Sequence, residues 1–545
     1  MAEEGAAPFK VEHLRGATNT VGRELFTYCL NLENSEIGEI EDSLSALPDH
    51  IGSALAEMVD TLTAFKVRSA ISDVPLELLI DGLSVIDSGG KRSSIFNAWR
   101  IRCGGLIPDF RTGDPLMDVL APYLSDIYPT TILFRHLTGQ PWRFQVMPSF
   151  GSDVDLMRDF GDAVLADPAL SRLFPNRAED SLQVSAHFLS NTGRAGTLQL
   201  PILPSAIFGA AYAMFRLRQQ SSAPDLRDSV ATTIDLLRSL AGGRTVSVPA
   251  WIGVGNIAIP EDLLELPWGN LLKYPEPTQL EIIPSGARPA VGTDTEGANV
   301  TLGAILETRF AAQIVVTDQP PSSEVATVWP ATMAREFAKL DGHFANTSLA
   351  ATLATERNPP AGCRRLWTAI FDPTSFGHHL SFRTDATPPV APHIFSPSEA
   401  DSLQQWSQIL NSTSVAKFSI SQRRILSAVA ERVDPVDGFI DVIVAWESLF
   451  AGTDQGELSF RISSAMASLL YERGPDRIAE QKRLVALYNK RSKVLHGAQE
   501  ITPEDALESR DYAVRAILEC IRRLFHDYPE MLQDPNRSKA IILNL

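Results

Sequence analysis

The chain has 545 residues, of which 44% are hydrophobic and 8% aromatic, and its formal net charge is −18. This composition excludes a disordered chain, because it supplies enough apolar surface to bury substantial cores. The negative balance argues against a protein that coats DNA or anionic lipid over its whole surface, so any contact with nucleic acid must be local. The four cysteines form neither a CxxC pair nor a disulfide framework, which suits a reducing compartment.

The start of the chain and its most apolar run indicate neither export nor a membrane span. The opening "MAEEGAAPFKVEHLRG" is acidic where a secretory signal is basic and then apolar. The run from Ala206 to Phe215 is too short to cross a bilayer. We therefore expect a cytoplasmic protein with no membrane partner.

Residues 1–244 show a mixture of helical and strand patterns. Amphipathic helical segments include "IGSALAEMVDTLTAFKV" and "LRDSVATTIDLLRSLAGG", and a pair of glycines closes the second segment. Between them, "LQVSAHFLSN" has the pattern of a strand. We predict a mixed α/β region here, and we expect it to sense or to regulate.

Residues 245–395 show mainly strand patterns, separated by glycine and proline turns. The strand patterns include "TVSVPAWIGVGNIAI", "QLEIIPSG", "ANVTLGAILETRFAAQIVVTD", "RRLWTAIFD" and "HHLSFRTD". The proline-rich segment from Thr387 to Ala400 then marks a boundary, since proline breaks both helices and central strands. The predicted fold class is α+β multidomain, with a mixed α/β region and a β-rich domain followed by an all-helical block at residues 396–545.

One helix of this C-terminal block carries a carboxylate next to its apolar stripe. In "DPVDGFIDVIVAWESLF" the helix is predicted to begin with Asp434 as N-cap and Pro435 at the first helical position. Ile440 and Ile443 lie on the stripe, and Glu447 follows them seven and four residues later. Because an ionised carboxylate that faces a core is costly unless it is paired, we expect Glu447 to have a cationic partner.

A later helix carries a basic residue and a histidine near its end. Leu484 and Tyr488 lie on its apolar stripe, Arg491 is the next position, and His496 follows five residues later. Gly497 is well placed to end this helix. A final amphipathic helix follows, and its predicted packing stripe consists of Val514, Ile517, Leu518, Ile521, Leu524 and Phe525.

The segments "AWESLF", "ELSFRISSAMASLL" and "LYNKRSKVLHG", with the amphipathic helix after them, resemble the HEPN superfamily (higher eukaryotes and prokaryotes nucleotide-binding), in particular its Apea-like branch. The resemblance covers residues 397–527. The family motif is an arginine, four to six residues and a histidine, and Arg491 and His496 fit it with four residues between them. By itself this spacing is a weak signal, and the helical context strengthens it.

The resemblance implies a metal-independent endoribonuclease that needs no cofactor and no metal. Its active site would form in a homodimer or higher homo-oligomer, to which each copy contributes Arg491 and His496 as catalytic residues. The substrate would be RNA, with tRNA among the expected targets. The biological role would be that of a toxin-like effector in prokaryotic abortive infection, an antiviral defence, with a phage-derived trigger acting at the N-terminal region.

The chemistry of RNA cleavage agrees with these residue types. The RNA 2′-hydroxyl can attack the adjacent phosphodiester when a base removes its proton and an acid protonates the leaving oxygen. Histidine can do either near neutral pH, and arginine can hold the phosphate bidentately. In a straight helix Arg491 and His496 project about 140° apart, so one chain alone makes a poor two-residue site. Predicted supporting residues are Glu447, Arg461, Tyr488 and Ser492, and predicted RNA-binding residues are Lys490, Lys493 and Arg483.

Plainer interpretations stay open for each of these residues. Arg491 and Glu447 can form a structural salt bridge between helices, and His496 can act only as a helix cap. Tyr488 can be packing, and the lysines Lys490 and Lys493 can be a solvated face. At the level of function, the first alternative is a non-catalytic HEPN module that dimerises or binds RNA. The second is an unidentified activity in residues 1–395, with the helical block as a dimerisation element.

Overall fold

The computed structural model describes most of the chain, and the statements below concern the described residues. These are residues 18–19, 21–32, 49–72, 84–86, 92–132, 154–175, 180–192, 194–218, 220–274, 287–293, 297–317, 330–355, 357, 359–375, 379–382, 392–413, 418–451, 457–498 and 500–545. The predicted strand "QLEIIPSG" lies outside them, as do the first five residues of the proline-rich boundary segment.

Fifteen helices lie in the described part of the chain. They are α1 (Arg23–Leu30), α2 (Asp49–Ser72), α3 (Ile95–Arg102), α4 (Pro115–Thr131), α5 (Val154–Ala166), α6 (Leu203–Leu217), α7 (Ala223–Ala241), α8 (Pro330–Ala354), α9 (Pro397–Ser412), α10 (Phe418–Leu426), α11 (Pro435–Phe450), α12 (Leu458–Leu470), α13 (Pro475–Leu495), α14 (Pro503–His526) and α15 (Arg537–Asn544).

Fifteen strands accompany them among the same residues. They are β1 (Ser84–Ile86), β2 (Arg92–Ser94), β3 (Ser185–Ser190), β4 (Arg194–Gln199), β5 (Val246–Gly255), β6 (Ile257–Ala258), β7 (Leu263–Leu266), β8 (Gly269–Lys273), β9 (Val291–Thr293), β10 (Asn299–Thr301), β11 (Gly303–Ala312), β12 (Ile314–Thr317), β13 (Arg364–Ile370), β14 (His379–Phe382) and β15 (His393–Ile394). The protein is therefore α+β, and beyond β15 every described element is helical, as the sequence predicted.

The largest sheet has six antiparallel strands in the order β14-β13-β5-β11-β8-β7. Its central strand β5 is buried along nearly its whole length, because both faces of the sheet are covered. Val248 and Ile252 point into the main hydrophobic core, whereas Trp251 packs in a second apolar cluster on the other face with Trp367 and Phe371.

A three-stranded sheet with the order β12-β3-β4 connects two regions that the sequence analysis separated. Strand β3 pairs with β12 from Ser190 opposite Ile314 to His187 opposite Thr317. Residues on both sides of the predicted boundary between 244 and 245 also belong to one continuous hydrophobic core. Strand pairing and core packing therefore both cross that boundary.

A buried carboxylate holds the ends of these two sheets together. Asp372 follows β13 and is fully buried. Its Oδ2 accepts hydrogen bonds from Ser190 Oγ and Thr192 Oγ1, both at 2.9 Å. Its Oδ1 accepts from the backbone N–H of Thr374 at 2.9 Å and from Thr374 Oγ1 at 2.7 Å. Four donors replace the water that the carboxylate loses on burial, which makes its charge tolerable there.

Helix α8 adds a long helix to the strands of residues 245–395. It spans 25 residues and lies between the six-stranded sheet, where it contacts β11, and the C-terminal block, where it contacts α9 and α10. Arg522 of α14 donates to the carbonyls of Leu353 at 3.2 Å and Thr355 at 2.9 Å, at the end of α8. These bonds satisfy carbonyls that a helix end leaves without partners.

The helices of the C-terminal block begin as their sequences predicted. Asp434 caps α11 through its side chain and Pro435 is the first helical residue. Thr502 caps α14 by accepting from the backbone N–H of Asp505 at 3.2 Å. The predicted packing stripe of α14 is buried throughout. None of the described helices is long and apolar enough to cross a membrane.

Candidate functional site

The candidate site lies on α13, whose end is fixed by backbone geometry. Gly497 adopts a left-handed conformation with φ +65°, which an L side chain rarely adopts. The Gly497 N–H donates to the carbonyl of Val494 at 3.1 Å, and the Ala498 N–H donates to that of Lys493 at 2.9 Å. This pair of bonds is a Schellman motif, and it confirms the predicted end of the helix. His496 therefore occupies the C-cap position of α13.

The predicted partner of Glu447 is Arg491. Nη1 of Arg491 lies 3.5 Å from Oε1 of Glu447, and the two side chains are 18% and 26% exposed. The same Oε1 accepts a hydrogen bond from the Tyr488 hydroxyl at 2.7 Å. The expectation that Glu447 has a cationic partner is thus confirmed. The pair lies at the edge of the core, where water reaches it, and not in the interior.

The ion pair with Glu447 does not engage every hydrogen-bond donor of Arg491. Nε of Arg491 is buried and has no hydrogen-bond partner among the described residues. The Tyr488 hydroxyl already donates a hydrogen bond to Glu447 Oε1. The distance of 3.5 Å from Arg491 Nη1 to the same oxygen is longer than the charge-assisted hydrogen bonds of a well-aligned bidentate pair. Because Nε is buried, only the terminal Nη groups of the guanidinium can meet an acceptor from outside the chain, and a phosphate oxygen is one acceptor that fits them.

The Glu447 carboxylate perturbs the tyrosine beside it. Burial, together with the hydrogen bond to Glu447 and its charge, raises the pKa of Tyr488 to about 12. A raised pKa in the folded state means that the protein binds this proton more tightly than the unfolded chain does. The stability that the contact contributes is therefore complete below pH 10 and is lost as the pH rises from about 10 to about 12.

A Glu447→Gln substitution should lower the pKa of Tyr488 toward its ordinary value. The reason is that the substitution removes the negative charge. Burial, which raises the pKa of Tyr488, and the charge of Arg491, which lowers it, remain. An ultraviolet difference titration of tyrosinate should show one tyrosine that ionises at lower pH in the variant than in the wild type. Tyr488→Phe identifies that signal, since it must vanish there. An unchanged titration curve in Glu447→Gln would contradict the coupling.

His496 differs from Arg491 in its surroundings. Its side chain is exposed, and within the described part of the chain it has no hydrogen-bond or ion-pair partner. Only its backbone is bonded, because its N–H donates to the carbonyl of Ser492 at 3.2 Å. The imidazole can therefore meet a molecule that approaches from outside this chain. One chain does not bring the two motif side chains into contact with each other.

Two of the three predicted RNA-binding side chains have partners inside the bundle. Nζ of Lys490 lies 2.6 Å from Oδ1 of Asp505 and 3.0 Å from Oγ of Ser509. The guanidinium of Arg483 stacks on the ring of Tyr512 with a distance of 3.5 Å from Cζ to the ring centre. Lys493 is exposed. The positive charge of the predicted RNA-binding residues is therefore partly balanced within the bundle, which the sequence alone could not reveal.

The contacts of the two remaining predicted residues, Arg461 and Ser492, do not indicate a role for either of them. Arg461 is half-buried on α12, and Ser492 is half-buried on α13 with its carbonyl in the helix end described above. The predicted absence of a metal or cofactor remains a prediction, although the described residues include no cluster of three or more His, Cys, Asp or Glu side chains suited to an ion. Of the histidine pair in "FGHHLSF", His378 lies outside the described residues and His379 is on β14.

One polar group of α13 was missed by the sequence analysis. Glu480 is buried and accepts hydrogen bonds from the hydroxyl of Tyr512 on α14. Burial and the Glu480 carboxylate together raise the pKa of Tyr512 well above its usual value. The signal was present in the sequence, since Glu480 precedes Leu484 by one turn on the same stripe that leads to Arg491. Two carboxylate–tyrosine contacts thus fasten α13 to α14 and α11.

No protein-family model, no curated protein and no solved structure matches this chain. The functional argument therefore depends on the residues and their geometry.

Proposed function

We propose that this protein is a metal-independent endoribonuclease of the HEPN type that cleaves RNA, with tRNA among its substrates. The supporting observation is that Arg491 and His496 lie on the same helix but have different surroundings. Arg491 is held at the bundle edge by Glu447 through a 3.5 Å contact and is partly accessible to solvent, whereas His496 is exposed at the helix end. A site that binds phosphate and transfers protons needs one group of each kind.

In this proposal each side chain has a distinct role. Arg491 binds a nonbridging oxygen of the scissile phosphate and stabilises the charge that develops in the transition state. His496 exchanges a proton with the 2′-hydroxyl or with the leaving 5′-oxygen. Glu447 and Tyr488 position the guanidinium, and Lys493 adds local positive charge for the RNA backbone. The two motif groups act together across a homodimer.

The large N-terminal region fits a protein whose activity must be restrained. We propose that residues 1–395 sense infection and that the helical block acts as the effector of antiviral defence. This part of the proposal is an analogy with Apea-like proteins, since a fold does not by itself define a function. Its trigger would be derived from the phage.

A second candidate function has an observation in its favour. Arg491, Lys490 and Arg483 each have a partner within the chain, and this is what a structural helical module would show. Under this reading the block dimerises or binds RNA without cleaving it.

The two candidates differ in an assay of the purified full-length chain with total tRNA in EDTA. The nuclease should cut, and cutting should fall at least about a hundredfold in both Arg491→Ala and His496→Ala, because each removes a group that acts in the transition state. The matched controls are Arg523→Ala, at an exposed residue, and His187→Ala, at a half-buried residue of β3. Both lie away from the motif and should cut like the wild type.

The outcomes are separable. Cutting that persists in both motif variants, or that stops in EDTA, would exclude this mechanism. RNA that stays intact with the wild type, even in extract from phage-infected cells, combined with RNA binding in a mobility-shift assay, would favour the non-catalytic candidate.

A further inference from the structure

Two arginines flank the ring of Tyr512 on the surface of the C-terminal block. Cζ of Arg483 on α13 lies 3.5 Å from the ring centre, and Cζ of Arg515 on α14 lies 5.1 Å from it. Both arginines are exposed, and the tyrosine is half-buried. Because both distances are measured from the same ring, the two guanidinium carbons lie within about 9 Å of each other. We call these two residues the arginine pair.

The tyrosine ring between the arginine pair is itself held in place. Its hydroxyl donates to the buried carboxylate of Glu480, at 2.5 Å from Oε2. At 3.5 Å from the ring centre, the guanidinium of Arg483 must lie nearly parallel to the ring. Such stacking uses the face of the guanidinium, whereas its N–H donors point outward in its plane. The ring therefore orients Arg483 without using its hydrogen-bond donors.

The arginine pair has no counter-ion within the part of the chain that the structure describes. Neither arginine forms an ion pair or a hydrogen bond with a described residue. Asp511 lies one turn before Arg515 on α14, but it is bonded to Arg510 at 2.8 Å. Glu519 lies one turn after Arg515, and two other arginines contact it at 3.4 Å. The chain has 66 acidic residues against 48 basic ones, so a shortage of carboxylates does not explain the unpaired charges.

An anion between the two guanidiniums fits this arrangement. Two like charges so close together repel each other, and a negative group between them replaces the repulsion with attraction. Guanidinium groups bind phosphate oxygens through forks of parallel hydrogen bonds, and one phosphate can contact both arginines across the gap. The outer face of a stacked guanidinium is also a surface on which an unpaired base can stack. A phosphodiester in single-stranded RNA offers both features.

The arginine pair lies apart from the cleavage motif. Arg491 follows Arg483 by eight residues on α13, which is about 12 Å along the helix at 1.5 Å per residue and about 80° around it. One phosphate cannot bridge this distance, whereas a few nucleotides of an RNA strand can span it. Lys490, which lies between them, is already bonded to Asp505 and Ser509. The arginine pair would therefore contact a nucleotide other than the one that is cut.

We propose that Arg483 and Arg515 form a second phosphate-binding site, which holds the RNA backbone a few nucleotides away from the scissile phosphate. The sequence predicted an RNA contact for Arg483 but not for Arg515 or Tyr512, because only the fold brings α13 and α14 together here. The inference rests on the proposed function in the choice of RNA as the ligand. An acidic protein segment also carries negative charge, but it has no bases to stack on the guanidinium.

Binding of a 2′-O-methylated RNA strand to the full-length chain tests the proposal, because the modification blocks attack by the 2′-hydroxyl and keeps the strand intact. Arg483→Gln and Arg515→Gln should each weaken binding at least about fivefold. In the double variant, the plot of log affinity against log salt should become shallower by about 0.7, the value for one phosphate of a single strand. Fluorescence anisotropy over a salt series gives both quantities.

The matched control is Lys482→Gln. It removes one exposed positive charge next to Arg483 on α13, but about 100° around the helix from it, and it should bind RNA within about twofold of the wild type. Arg483→Lys and Arg515→Lys keep the charge but lose the planar fork and the stacking on Tyr512. They should therefore recover only part of the lost affinity.

Full affinity in both lysine variants would overturn the proposal, as would unchanged affinity in both glutamine variants or a wild-type chain that binds no RNA. Unchanged RNA binding together with lost binding of a polyglutamate peptide would assign the surface to an acidic protein segment instead. If the variants weaken binding as expected but the wild type cuts no RNA, the proposed function fails while the site stands. If cutting depends on Arg491 and His496 but the variants bind RNA normally, the site fails while the function stands.

Discussion

Mixing the Arg491→Ala variant with the His496→Ala variant is expected to restore RNA cleavage that neither variant retains alone. Random pairing gives about half heterodimers, and each of these keeps one intact arginine and one intact histidine on opposite subunits. The mixture should therefore reach at least about a tenth of the wild-type rate, compared with losses of about a hundredfold or more for each variant by itself. Cleavage of labelled tRNA in EDTA provides the measurement.

The structural reason is the separation of the two groups within one chain. Arg491 is drawn to Glu447 at the bundle edge, whereas His496 lies exposed at the C-cap. A matched control mixes Arg491→Ala with the double variant Arg491→Ala/His496→Ala, in which no heterodimer has an arginine and which should stay inactive. If heterodimers are verified by mass and the first mixture is still inactive, both groups must act from the same subunit, and the composite site is wrong.

Asp372→Ala should cause a large loss of stability for the removal of a single polar side chain. The hydroxyls of Ser190 and Thr192 lie 2.8 Å apart, so one of them can still donate to the other after the substitution. The second of these hydroxyls, the Thr374 hydroxyl and the Thr374 backbone N–H are left buried without an acceptor. Unsatisfied buried donors cost about 1 to 3 kcal/mol each, and part of that cost is offset because the buried charge is removed, so we expect a net loss of about 3 kcal/mol. The midpoint of urea unfolding, followed by tryptophan fluorescence, should fall accordingly.

Two variants bracket this expectation. Asp372→Asn keeps the shape and one acceptor, and hydroxyl groups can rotate to accept from the new amide, so it should lose less than half as much. Asp235→Ala removes a carboxylate that is 74% exposed and should change stability by less than about 0.5 kcal/mol. Equal midpoints for Asp372→Ala and Asp235→Ala would show that the buried network does not connect the two sheets as described.

The C-terminal block could be predicted well because its helices carry strong local signals. Proline at the first position and a polar cap define the starts of α11 and α14, and Gly497 defines the end of α13. The pairing of Glu447 with Arg491 followed from the cost of a carboxylate beside an apolar stripe. The position of the Glu447–Arg491 pair at the edge of the core could not be predicted. Ile440, Val444 and Glu447 are half-buried, whereas Phe439, Val442 and Trp446 face the core, because α11 packs on several sides at once.

Helix α8 shows why the structure of the middle of the chain was harder to predict from the sequence. Its buried face includes Thr347, Ser348 and Thr352, so the apolar periodicity that indicates a helix is diluted by small polar residues. Thr352 is accommodated because its hydroxyl donates to the carbonyls of Ser348 and Ala361. Such contacts depend on the tertiary structure. The same limit applies to the predicted RNA-binding residues, because their tertiary partners decide which of these side chains are available.

The capping of α8 by Arg522 has a mechanical consequence. Arg522 lies near one end of α14, and Asp505, which binds Lys490 of α13, lies near the other, about 26 Å away at 1.5 Å per residue. The six-stranded sheet contacts α8, and α8 is hydrogen-bonded to one end of α14. The opposite end of α14 is bonded to α13, the helix that bears Arg491. A shift of the sheet by a bound molecule would therefore be transmitted along α14 toward the helix that bears Arg491, and the bundle core would move with it because the packing stripe of α14 is buried.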